Sequence, residues 1–352
     1  MTLWTDVITP AALTGYAREA LADRERRKGS LAAFLPNRTV PDIVARFVKG
    51  NNGLLDAAEY RSYDAEVSIG ETPGAERVTI ELPPLGRKVR VSEYDQLRLR
   101  GNVDSDTVLS TVLKEAKRLA YAISDKLEVM RGKVIDSGKA AINENGFIAT
   151  ADFGRGAAFA VTAATLWSDP ASKPLTDLRL WRDAYVEENG DEPGVILTSR
   201  RVLNALMLSA EMKALATNSA TAPGLVTEAF VQATLSAYGL PPIAVFDRRA
   251  KVAGTTVRIL PENKLYLLPA PVDAYAEDGT DLGATVWGTT LESAEPDYEI
   301  AEVDRPGIAM GAFKTRDPIG VWVHGAAIGL PVLANANLSM AAKVLPDPDP
   351  EQ

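Results

Sequence analysis

The feature that most limits what this chain can become lies between Asp104 and Asp136. There Leu109, Val112, Leu113, Ala116, Leu119, Ile123, Leu127, Met130 and Val134 recur every three or four positions, behind Asp104 or Ser105 as a cap. The spacing predicts one helix on the order of 50 Å long at about 1.5 Å per residue, well beyond the average helix. The core of a compact domain needs no rod of that length, so the chain is expected to be an elongated molecule with a spine.

The flanking segments fit an elongated body. Residues 1–35 read as an extended arm with a short helix, opened by Pro10, striped by Leu13, Tyr16, Ala17 and Leu21, and closed by the run RERRK. Arg24, Arg26, Arg27 and Lys28 read as a solvated helix end that complements the dipole, with contact to a neighbouring chain or nucleic acid as the alternative. From Tyr60 to Leu97 apolar and polar residues alternate around a Pro73-Gly74 turn, with Pro83-Pro84 near the far end, which predicts a long two-stranded hairpin. An isolated ribbon is marginally stable in water, so it is expected to lie on something else, such as another subunit.

Past the spine, the stretch from Phe147 to Trp167 is strand-like and ends at Ser168-Asp169-Pro170. Helical patterns then start at Thr176, Ser199 and Thr227, with Gly190 and Gly239 as stops. The strands PPIAVF, TVRIL and KLYLLP follow, residues 283–333 return to strand patterning, and the tail PDPDPEQ is polar and expected to be loose. No internal repeat is evident. The class is α+β, helices packed on sheets.

Known catalytic patterns are mostly missing. The chain has no cysteine, which removes disulfides, thiolate nucleophiles and sulfur-ligated metals. Its one histidine, His324, has no Gly-x-Ser-x-Gly elbow to serve, and alternation in VWVHGAAIG places it with Trp322 on one strand face and Val321 and Val323 on the other. Trp287 and Trp322 read as packing residues. Gly154 to Phe159 begins like a dinucleotide turn but lacks the third glycine, and Gly132 to Lys139 misses the phosphate-loop spacing and has Ala140 where a hydroxyl is needed. The carboxylate pairs Glu187/Glu188 and Asp278/Asp281 sit in polar, turn-like stretches that read as solvated surface. A formal charge of −9 and a pI near 5.0 argue against a surface that coats nucleic acid or anionic lipid. The start MTLWTDVITP has no secretory pattern and no later run is long enough to span a bilayer, so a soluble, cytoplasmic protein is expected.

Three passages, taken with the order of the elements, carry a resemblance: LPPLGRKVRVSEYDQLRLRG, DFGRGAAFAVTAATLWSDPASKPLTDLRLW and DPIGVWVHGAAIGLPVLANANLSMAAKV. In this order the chain resembles the major capsid proteins of tailed bacteriophages, nearest to the lambda-type branch of the Hong Kong 97-like fold. The resemblance implies an N-terminal arm over 1–55, an extended hairpin loop over 56–100, and a peripheral domain with the spine helix over 101–167. An axial domain over 168–315 would follow, then a return strand of the peripheral domain and a C-terminal tail over 316–352. It further implies contacts between subunits through Pro73, Gly74, Leu82, Pro83, Pro84, Leu85, Arg87 and Lys88, with no catalytic, cofactor or metal site.

The implied partners are further copies as pentamers and hexamers, portal and scaffolding or decoration proteins, and packaged double-stranded DNA held without sequence specificity, with no membrane. The implied place is the virion capsid, assembled in the host cytoplasm. Some relatives weld subunits through a lysine–asparagine bond. Lys88, Asn335 and Asn337 are of the required types, but the hairpin tip GETPGA has no lysine, so no such bond is expected. One alternative use of the same fold is a cellular nanocompartment shell around a cargo protein. A remoter alternative is a cytoplasmic hydrolase using a carboxylate pair.

Overall fold

The structure is a computed structural model and describes residues 8–49, 76–91, 105–144, 146–216, 226–276, 279–317 and 319–348. Helix α1 (Pro10–Lys28) begins where Thr9 Oγ1 accepts the Ala12 N–H at 3.3 Å and Pro10 occupies a first-turn position that needs no donor. Three short or medium strands follow, β1 (Asn37–Thr39), β2 (Val44–Lys49) and β3 (Glu76–Glu81), then β4 (Pro84–Val91). The expected spine is helix α2 (Ser105–Ser137), 33 residues long.

The apolar face of α2 serves two cores. Val112, Ala116, Leu119, Ala120, Ile123 and Leu127 pack with Leu13, Ala17 and Leu21 of α1 and with Met310, Ala312, Val323 and Ala327. One turn further on, Val129, Met130, Val134 and Ile135 enter the larger core. The thin apolar stripe of α1 is therefore covered by this chain's own spine.

After the spine come β5 (Lys139–Glu144), β6 (Phe147–Asp152), β7 (Ala160–Thr162), α3 (Pro174–Asn189), β8 (Val195–Thr198), α4 (Arg200–Leu208), α5 (Ala210–Ala216) and α6 (Glu228–Ala237). The chain continues through β9 (Ile243–Val245), β10 (Arg249–Val252), β11 (Thr255–Arg258) and β12 (Lys264–Leu268). It finishes with β13 (Gly283–Gly288), α7 (Leu291–Ala294), β14 (Ala309–Arg316), β15 (Ile319–Leu333) and β16 (Met340–Lys343). Gly190 ends α3 in the left-handed region at φ 79°, the stop read from its sequence.

Two sheets organise the body. In the first, β15 is the axis: β14 pairs along residues 319–326, β4 along 321–328, and β13 along 328–333, with β1 parallel to β13. Since β14 and β4 both take residues 321–326, they flank β15 on opposite edges. The second sheet runs β7-β16-β12-β8-β9. All four residues of β8, Val-Ile-Leu-Thr, are buried, as befits a central strand covered on both faces.

The pairings differ from the sequence reading in three places. β3 pairs with β2, register Val44 to Glu81, so the stem of the ribbon begins inside the stretch read as arm. β4 leaves that ribbon, because buried Leu82 and Pro83 carry the chain across to β15. The turn at Pro73-Gly74 and most of the expected hairpin lie outside the described residues. The boundary expected at 315/316 runs through the β14–β15 hairpin, and β13 joins the same sheet, while β7 and β16 join the other. Alternation shows that a segment is a strand but not which strand it pairs with.

A fourth difference is local. The pattern from Ser199 to Leu215 is two helices, because Ser209 adopts an extended backbone and its hydroxyl accepts the Met212 N–H at 3.3 Å, capping a new start. Among the described residues no helix is long and apolar enough to cross a membrane.

Candidate functional site

A groove of about 1030 Å³ opens between α2, the start of β4, the β5–β6 hairpin and the β10–β11 turn. Leu85, Ile123, Leu127, Met130, Ile142 and Leu330 contribute apolar surface to it, and its charged lining is Arg24, Arg87, Arg118, Lys126 and Lys251 against Asp125 and Glu144. Cations outnumber carboxylates, so the groove favours an acidic occupant with apolar side chains.

Four residues expected from sequence to make contacts between subunits, Pro83, Pro84, Leu85 and Arg87, line this groove. Leu82 is buried in the larger core. Lys88 points to the opposite face of the sheet, where its ammonium lies 5.0 Å from the Trp322 ring centre. Pro73 and Gly74 lie outside the described residues.

The groove is backed by a charge cluster that sequence reading missed. Arg131, 1% exposed in its side chain, bonds Glu128 at 2.9 Å, Glu25 at 3.3 Å, Asn37 Oδ1 at 2.7 Å and Thr285 Oγ1 at 2.7 Å. Glu128 also accepts from Ser30 Oγ at 2.7 Å and the Leu31 N–H at 2.8 Å. Asp125 receives Arg24 and Arg248, both at 2.9 Å. Three carboxylates and three guanidinium groups thereby pin the N-terminal segment, the strand β13 and the approach to β10 onto one stretch of spine.

Arg24 is therefore not a solvated helix end: it grips Asp125 and also lies 4.3 Å over Tyr121. Tyr275 Oη donates to Glu25 Oε2 at 3.2 Å, and burial first, then that carboxylate, pushes its hydroxyl above the ordinary tyrosine range. The available signal was position: Arg131 falls beside the apolar stripe of the spine, where a solvated cation does not belong.

The C-terminal end of the spine is held by Arg155. Its guanidinium donates to the carbonyls of Asp136 at 2.9 Å and Val134 at 3.3 Å, and also to that of Ile135. Burial lowers its pKa to about 10, with Asp136 opposing. Asp136 in turn accepts from Lys264 Nζ at 2.7 Å and Tyr266 Oη at 2.9 Å, tying the spine to β12. Gly154 to Phe159, the failed dinucleotide turn, thus carries the cap of a helix.

The other singled-out residues are structural in their placement. His324 Nε2 is 4.0 Å from Glu292, on the same sheet face as Trp322. Glu187 is exposed, Glu188 accepts from Asn337 Nδ2 at 3.2 Å, and Asp278 lies outside the described residues. Asn335 Oδ1 accepts the Asn337 N–H at 3.1 Å. In the second quoted passage, Trp167 stacks on Trp181 at 6.3 Å and donates to Asp177 at 3.0 Å. Burial raises the Asp177 carboxyl above its usual range, against that hydrogen bond.

Comparison with known proteins places this arrangement. The family described as phage major capsid protein E matches residues 31–344. No curated protein matches the chain by sequence. A prophage protein of E. coli CFT073, described as a capsid protein, shares the fold at a TM-score of 0.63 and 14% identity, over 96% of this chain and 99% of that one. A phage-related protein from Bordetella bronchiseptica RB50 shares it at 0.54 and 13%, over 94% and 95%.

Proposed function

Because the chain belongs to the family of phage major capsid protein E and has the Hong Kong 97-like capsid fold, we propose that its copies close into an icosahedral shell around double-stranded DNA. The observation that carries the reading is the family match across the spine, both sheets and the groove. The expected lambda-type branch is part of this proposal. So is the division into a peripheral domain over 101–167 with its return strand and tail over 316–352, and an axial domain over 168–315.

The groove supports an assembly role because it suits a segment this same chain carries. Residues 50–75 hold Asp56, Glu59, Asp64, Glu66 and Glu71 against Arg61, with Leu54, Leu55, Tyr60, Tyr63, Val67 and Ile69 among them. Acidic and apolar, that segment matches the excess of cations around apolar surface. In this reading the hairpin loop of one subunit lies over the spine of the next, with Pro84 and Arg87 at the contact. Modest contacts then add up over many copies.

Pentamers and hexamers of the chain, a portal, scaffolding or decoration proteins and the packaged genome are the partners this role requires. The place is the virion capsid, filled after assembly in the host cytoplasm. We assign the subunit no catalytic step. The test is the content of purified particles after nuclease treatment: protected double-stranded DNA is expected. Particles that instead enclose a cargo protein and no DNA would identify a nanocompartment shell.

A further inference from the structure

Between β13 and β14 the chain makes a closed excursion, residues 290–305, that the role proposed above does not use. Its base is shut by the Thr289–Pro306 bridge and by the Gly307 N–H bonding Gly288 O at 3.1 Å. Inside, Thr290 Oγ1 accepts the Ser293 N–H at 3.2 Å, and Tyr298 and Ile300 are buried. Tyr298 lies on β14 so closely that a Cβ at Gly311 would stand 2.6 Å from its hydroxyl. From below, Arg18 of α1 donates to Asp304 O at 2.8 Å and Ile308 O at 2.9 Å. This is a compact loop with joined ends and its own packing, a form frequent at functional sites.

What the loop presents is out of character for a free surface. Leu291 is 85% exposed and Val303 86%, more than any other large apolar side chain among the described residues. Around them stand Glu292, Glu295, Asp297, Glu299, Glu302 and Asp304, with Arg305 as the one base. Across β15, on the opposite edge of the sheet, Lys88 and Arg90 are exposed on the face shared with Trp322 and His324. Lys88 has no acidic partner among the described residues. The loop sits over that same face, since Glu292 approaches His324 and Tyr298 covers Gly311.

One sheet face thus has an acidic, apolar-tipped pole on its β14 side and a cationic pole with an indole on its β4 edge. Copies set side by side with a common rotation bring the unlike poles together, the head-to-tail contact that closes rings. We propose that loop 290–305 docks on the β4 edge of an adjacent copy, with Leu291 and Val303 buried beside Trp322 and the loop carboxylates facing Lys88 and Arg90. The contact is separate from the groove beside the spine, and it rests on the shell reading.

The natural absence of cysteine makes a direct test available. Val303→Cys and Lys88→Cys chains are made separately, co-assembled, treated with a short bifunctional maleimide and run on a denaturing gel. Cross-linked dimers are expected from the mixed shells and not from shells of either variant alone. Mixed shells that yield only monomers, or Val303→Cys shells that cross-link to themselves, overturn the proposal. A second arm uses Leu291→Ser with Val303→Ser: exposed in the subunit, they leave its melting temperature unchanged, while the concentration needed for assembly rises about tenfold or more. An unchanged assembly concentration contradicts the docking. If the unaltered chain forms no shells at all, the shell reading fails and takes this contact with it.

Discussion

At the residue scale, two positions on the spine decide more than its long apolar stripe does. Gly132 is a poor helix former, yet a Cβ there would stand 2.2 Å from the backbone oxygen of Ile259. The close approach of the β11 end to the helix requires it. Gly132→Ala gains about 1 kcal/mol of helix propensity and meets a backbone atom that no side-chain rotation relieves. The expected net result is a loss of about 1–3 kcal/mol in chemical unfolding of the unassembled subunit.

Arg131 is the second position. Arg131→Met leaves Glu25 and Glu128 buried without their shared cation, which is expected to cost about 3–5 kcal/mol in the same measurement. Neither residue was legible from the sequence in its role. At Gly132 the sequence shows only an imperfect phosphate-loop spacing, and at Arg131 only a position within a helical pattern. Close approach and buried pairing depend on which distant segment arrives, and here that is decided by residues about a hundred positions or more away.

Among the elements, those set by local pattern were readable and those set by pairing were not. The spine was predicted from Asp104 or Ser105 to Asp136 and observed as Ser105–Ser137, because its periodicity is sustained and its cap is local. The partner of β4 was not readable: Pro83-Pro84 looked like the far end of a ribbon, and the strand beyond it pairs with β15, more than two hundred residues later in the chain. The spine's C-terminal end illustrates the same limit, since its cap is supplied by Arg155 from beyond a hairpin.

Arg155→Ala is expected to free carbonyls of the last turn and cost about 1–3 kcal/mol in thermal or chemical unfolding. Arg155→Lys should recover only part of that loss, because a point ammonium does not span several carbonyls as a planar fork does. The strands also bear on covalent joining. Lys88 is engaged with Trp322, while Asn335 and Asn337 serve local turns and Glu188. Assembled particles boiled in detergent should therefore run as one 37.7 kDa band, and a ladder would overturn that expectation.

For the whole molecule, the sequence was most informative where it described shape. A spine of 33 residues, a sheet whose axis strand runs 15 residues and a groove with an excess of cations suit a subunit whose partners are copies of itself. The acidic net charge is compatible with the proposed packaging role, in which the wall would hold nucleic acid loosely. The arm helix, whose basic end had contact with a neighbouring chain as one reading, lies on this chain's own spine, held by Arg24, Glu25 and the Thr14 hydroxyl, which accepts the Met310 N–H at 2.9 Å. Sequence alone did not separate these outcomes, because a thin apolar stripe is the same whether its cover comes from the same chain or the next.

Whether the chain closes into a shell is decided by electron microscopy of the purified protein across assembly conditions. Closed particles of icosahedral symmetry built from pentamers and hexamers are expected. Only monomers and small oligomers under every condition would contradict it.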